Sequence, residues 1–123
     1  MIEDPTAMKV KSEIVINKKD FKNISSEIDL NGKINELMNN IDQMIEYIII
    51  PKENTMILKI IVEQNKKRFL LTNLIEIAKC DNEERKKILH DKIKEPLLHQ
   101  VKEKKKDWKI IIQCGEIMVH YCS

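Results

Sequence analysis

Residues 108–123 read WKIIIQCGEIMVHYCS. Two β-branched runs flank Cys114-Gly115, and a two-residue loop with glycine in second place accepts the positive φ that a tight hairpin turn needs. The expectation is a C-terminal β-hairpin of strands 108–113 and 116–122, with Gln113 facing Glu116. Side chains alternate along a strand. Trp108, Ile110, Ile112, Ile117, Val119 and Tyr121 then share a face that must be buried. Lys109, Ile111, Gln113, Glu116, Met118 and His120 form a mixed second face, and the upstream chain has to cover the first.

At 123 residues and 42% hydrophobic content, the chain is the size of one domain with one core. Lys and Arg number 22 against 20 Asp and Glu, a balance that does not announce a nucleic-acid binder, although local basic clusters could still touch phosphate. Three cysteines without CxxC spacing favour reduced thiols in a cytoplasmic compartment, or alternatively a mitochondrial or plastid matrix. The start Met-Ile-Glu-Asp-Pro lacks the basic region of a signal peptide, and no apolar run reaches the length of a membrane span.

Upstream, residues 1–7 read as a flexible tail and 8–123 as a single α/β domain. Met8 to Ile16 alternates as a strand does. Asn31-Gly32 signals a turn. Ile34, Leu37, Met38, Ile41, Met44 and Ile45 recur at helical steps, which predicts a helix over 33–44. Glu46 to Ile50, stopped by Pro51, reads as a buried strand. Residues 56–63 (MILKIIVE) suit either a strand or the start of a helix running to Lys79, and the later leucine spacing favours the helix. Asp81 with Glu84 makes a capping-box start for a helix with Ile88, Leu89 and Ile93 inward, and Pro96 ends or kinks it. The predicted fold is a single two-layer α/β domain whose mixed β-sheet packs against helices and finishes in the C-terminal hairpin.

Chemical motifs are sparse. Cys114, His120 and Cys122 invite a zinc reading, but the drawn hairpin separates Cys114 from His120 by roughly 10–14 Å at about 3.3 Å per residue, too far to share a metal. A thiol enzyme using Cys114 or Cys122 lacks an oxyanion loop and an orienting third residue. With two glycines in the chain, phosphate-cradling nucleotide loops have no support. No catalytic residue, metal or cofactor is therefore assigned. The runs 66–68, 86–87 and 104–106 read as solvated faces interspersed with acids. Among them Lys104, Lys105 and Lys106, next to the hairpin, best suit contact with a phosphate backbone.

The hairpin resembles the terminal strands of the ribosomal silencing factor (Iojap) family: a tryptophan (Trp108), an aliphatic strand, a glycine-acidic pair (Gly115-Glu116), then aliphatic-Val-His (Ile117 to His120). Glu46 to Ile50 is similar to that family's acidic-Tyr-aliphatic strand, which leads through a short loop into its main helix. Glu95-Pro96-Leu97 falls about where the family has a proline before the tryptophan strand. The similarity spans roughly residues 40–122, with departures: the family's small Gly/Ser/Thr-rich loop after the tyrosine strand is Pro-Lys-Glu-Asn-Thr at 51–55, and its acidic and aromatic C-terminal extension has no counterpart in this sequence. The helix at 81–95 reads as an insertion, and Trp108 lies one residue farther from the glycine than the pattern places it.

The resemblance implies a non-enzymatic factor that docks on a protein of the large ribosomal subunit, blocks subunit joining and so silences translation. It puts partner contacts at Tyr47, Trp108, Gly115, Glu116, Met118 and His120, with ribosomal RNA near Lys104 to Lys106. The alternative is a structural protein–protein interaction module or assembly subunit, including a homodimer, that uses the Ile111/Met118 strip.

Overall fold

The computed structural model describes residues 8–49, 56–71, 75–77, 81–103 and 107–117. Its elements run β1 (Met8–Asn17), a 3₁₀ turn (Lys18–Phe21), α1 (Glu27–Ile49), β2 (Met56–Gln64), β3 (Lys67–Leu70), β4 (Ile75–Glu76), α2 (Asn82–Leu89), a π-helical turn (His90–Lys94), α3 (Glu95–Lys102) and β5 (Trp108–Ile117). One antiparallel sheet carries the order β1-β5-β2-β3, and β4 also pairs with β2. The α1, α2 and α3 helices cover one face, so the two-layer α/β architecture stands, with a sheet that is antiparallel throughout its described pairs rather than mixed.

The stretch 108–117 is one strand, and the predicted hairpin is not formed. Cys114 and Gly115 lie mid-strand, where Gly115 pairs with Val10 on one side and Ile57 on the other. No glycine has positive φ among the described residues. Gly115 serves a different need: a Cβ there would sit inside the van der Waals envelope of the Lys9 carbonyl oxygen and 2.9 Å from the Val10 Cα. This close approach lies beside a bulge, because the register slips by one residue between Val10 and Ser12 and leaves Lys11 extra on the edge strand. A central strand packed on both faces also explains the run Ile110-Ile111-Ile112, all buried.

The helical face of the sheet presents Ile16, Met56, Leu58, Ile60, Val62, Trp108, Ile110, Ile112 and Cys114 to one core. Opposite them α1 lays Leu30, Ile34, Leu37, Ile41 and Ile45, spaced by three and four residues. The helix starts earlier than expected, at a cap where Ser26 Oγ accepts the Asp29 N–H at 3.1 Å, and it passes through Asn31-Gly32 without turning. It also continues through Glu46 to Ile49, which replaces the predicted strand. The β-branched run there carries a strand preference of tenths of a kcal/mol per residue, whereas burying Ile45 fully is worth about 2–3 kcal/mol.

The helix expected over 56–79 is likewise absent. Strand β2 buries Met56, Leu58, Ile60 and Val62 on the helical face and Ile57 and Ile61 on the other, so its sequence reads as an unbroken apolar run and mimics a helix. It turns into β3 through Asn65-Lys66, both at positive φ (51° and 66°), a two-residue loop between the paired Gln64 and Lys67. Beyond β3 the same edge of β2 is taken up by β4. Four residues lie between Leu70 and Ile75 where two lie between their partners Leu58 and Ile61, an excess of two on this edge.

The capped helix at 81 forms as expected, with Asp81 accepting the Glu84 N–H at 2.8 Å. Pro96 neither ends it nor breaks it. The turn before it widens, with the Glu95 N–H reaching the His90 carbonyl, which accommodates a proline that has no N–H to donate. Buried Arg85 ties α2 to α1 through Asp42 at 2.7 Å. Residues 1–7, the family-like Met118 and His120, and Lys104 to Lys106 lie outside the described residues.

The two glycines respond oppositely to alanine. Gly32 faces open space in a helix interior, so Gly32→Ala is expected to stabilise by about 0.5–1 kcal/mol. Gly115→Ala is expected to cost at least about 2 kcal/mol, because β1 must move away. Urea denaturation midpoints of the two variants check both signs.

Candidate binding surface

Of the residues expected to bind a partner, the four that are described, Tyr47, Trp108, Gly115 and Glu116, do not form one site. Tyr47 stands on the solvent side of α1, 79% exposed. Trp108 is buried in the core, where its ring meets Phe21 at a centroid distance of 6.0 Å, so it is a packing residue and not a contact. Gly115 is buried by the β1 backbone and Glu116 is half-buried. Trp108 pairs with Gln64 at one end of the sheet and Glu116 with Met56 at the other, roughly 26 Å apart at about 3.3 Å per residue.

The sheet face away from the helices is organised in rows. Val15, Ile111, Ile61 and Leu70 form one apolar row across four strand positions. A polar row flanks it on each side: Glu13, Gln113 and Lys59, with the Gln113 amide donating to Glu13 at 2.8 Å, and Asn17, Lys109, Glu63 and Arg68, with Arg68 on Glu63 at 2.9 Å. Ile111, expected as an exposed strip, is buried, while Val15 and Leu70 at the row's ends are partly exposed.

The strongest candidate surface is the Trp108 end of the sheet. There the end of β1, the Asn65-Lys66 turn and the start of β5 enclose a cleft of ≈ 760 Å³ bordered by Lys18, Lys19, Lys66 and Lys109, with Glu63 and Asp107 as its acids. A second hollow of ≈ 500 Å³ shares Lys18, Lys19, Asp107 and Trp108 and adds Lys22 beside Phe21. Five lysines against two acids is a marked local excess in a chain whose charges nearly cancel. Glu63 is moreover engaged by Arg68. The lysines are placed by local structure: the Asp20 carboxylate accepts the Asn17 N–H at 2.7 Å and folds the 3₁₀ turn carrying Lys18 and Lys19, and Phe21 anchors that turn on Trp108. Sequence reading singled out Lys66 within a basic run but assigned it to a helix. Lys18, Lys19 and Lys22 lie together in the stretch 18–22, a basic cluster the sequence reading passed over, and the strand pairing brings Lys66 and Lys109 to them.

Catalytic chemistry gains nothing from the geometry. Among the described residues no three His, Cys, Asp or Glu side chains gather as metal ligands. His90 lies beside Asp91 and Glu95, and His99 beside Glu103, each a neighbour on its own helical stretch. Cys114 is fully buried, and burial pushes its thiol from 9.0 up to about 11, opposite to the shift that activates a nucleophile. Cys80 and Cys122 lie outside the described residues. Among the described residues no helix is long and apolar enough to cross a membrane. No family model, curated protein or solved structure matches the chain.

Because the folded state holds the Cys114 proton more tightly than the unfolded chain, this thiol contributes stability below pH 9 that is lost as pH rises toward 11. Wild type is expected to lose about 2–3 kcal/mol more than Cys114→Ala over that interval. Chemical denaturation of both proteins at pH 8 and pH 11 measures the difference. In the native protein at pH 7, iodoacetamide is expected to leave Cys114 unmodified.

Proposed function

We propose that this protein is a non-enzymatic factor that docks on the large ribosomal subunit and sterically excludes the small one. The observation that carries the reading is an order of elements. The Iojap-like pattern calls for a strand leading through a short loop into a main helix, followed by a tryptophan strand with a glycine-acidic pair. In this fold the helical stretch 82–102, which contains Pro96, precedes β5, and β5 begins with Trp108 and carries Gly115-Glu116. Glu46 to Ile49, the segment similar to the tyrosine strand of the pattern, lies in α1 here. Exclusion of a subunit needs a shaped, charged surface and no reacting group.

One feature favours a second reading, a protein-interaction module that accepts a partner strand. Phe69, Leu70 and Leu71 are 52%, 42% and 40% exposed along β3 and its continuation, and β3 pairs on its β2 side alone among the described strands.

Co-sedimentation with purified large subunits separates the two. The expected result is a stoichiometric pellet with large subunits, loss of subunit joining when small subunits are added, and no pellet with the Met118→Asp/His120→Ala double variant. Failure to pellet, together with recovery of a non-ribosomal protein that Phe69→Asp releases, would favour the strand-accepting module.

A further inference from the structure

The lysine-rich cleft at the Trp108 end has an unusual feature in its turn. A two-residue hairpin loop with both residues at positive φ favours Asn-Gly, and the second place here is Lys66 at φ 66°. A non-glycine residue in that conformation costs about 1–2 kcal/mol. Strain of this kind is retained where the side chain has a task that glycine cannot perform. Lys66 is exposed and borders the same cleft as Lys19 and Lys109, so the strain holds a cation at the rim. Lys22, which lines the adjoining hollow with Phe21, extends the positive surface. Trp108, the aromatic ring at the cleft floor, is 3% exposed and has no free face on which a base could stack.

We infer that this cleft binds the phosphate backbone of RNA without reading its sequence. Several lysines at spacings of a strand or a turn suit a run of phosphates, each contact releasing counterions, and the buried Trp108 ring offers no open face for gripping bases. The ribosome-binding proposal supplies the identity of the RNA, not its binding, so the two can fail separately.

The test measures fluorescence anisotropy of fluorescein-labelled oligouridylate about 16 nucleotides long across a potassium chloride series, with labelled polyglutamate as the comparison. Wild type is expected to bind oligouridylate, and a mixed-sequence strand equally well, with affinity falling as salt rises. Lys66→Gly is the decisive variant, because the two roles of the lysine move in opposite directions. Its melting temperature is expected to rise as turn strain is relieved, while affinity falls about threefold and the salt slope drops by about 0.7. Lys19→Glu with Lys22→Glu is expected to weaken binding at least tenfold with an unchanged circular dichroism spectrum. Equal affinity of wild type and both variants would overturn the inference, as would polyglutamate binding matching that of RNA. Pelleting of both variants with large subunits as efficiently as wild type would remove the cleft from the ribosome contact while leaving the docking proposal intact. Salt-dependent RNA binding without pelleting would support the cleft and sink the docking proposal.

Discussion

The fold depends on one close backbone approach, that of β1 against β5 at Gly115. A central strand must pair on both sides, and β5 does so with β1 and β2 along nearly its whole length. At Gly115 the neighbouring strand comes so near that no side chain fits, and the bulge at Lys11 lets β1 keep pairing past that point. With β5 fixed in the middle, its even-numbered side chains from Trp108 to Cys114 meet α1 and the 82–102 helical stretch to form the core. The same strand also fixes the Trp108 end of the sheet, where the basic cleft lies.

Local signals in the sequence sufficed where one physical requirement had one outcome. The alternating Met8 to Ile16 segment is β1, and Asp81 with Glu84 caps a helix, because an edge strand with polar alternation and an orphan helix N–H each admit few solutions. The periodicity over 34–45 is helical for the same reason. Segments with two outcomes misled. Gly115 satisfies a hairpin turn and a tight strand crossing equally well, and the pattern of residues around it carries no information about what lies across from it. MILKIIVE buries both faces, so it lacks the alternation that marks a strand with one wet side. Glu46 to Ile49 has a strand's composition, but the buried stripe ending at Ile45 continues the helix past it.

The candidate surface was hidden for a related reason. Its lysines come from the 3₁₀ turn and the residue after it, the β2–β3 turn and the start of β5, and each in isolation is an ordinary solvated cation. Pairing brings them to one end of the sheet, where five lysines stand against the two acids Glu63 and Asp107. The tryptophan and glycine of the family-like motif prove to be structural: Trp108 floors the core and Gly115 admits β1. Recognition of the RNA proposed above would therefore fall to exposed groups, the lysines that rim the cleft.

Amide hydrogen exchange across residues 109–116 tests the central claim most directly. If β5 is an uninterrupted central strand, the amides of Cys114 and Glu116 exchange as slowly as those of Ile110 to Ile112, through global unfolding alone. Rapid exchange at Cys114, Gly115 and Glu116, flanked by protected segments on either side, would mean that the chain turns there, and both the sheet order and the cleft built on it would be wrong.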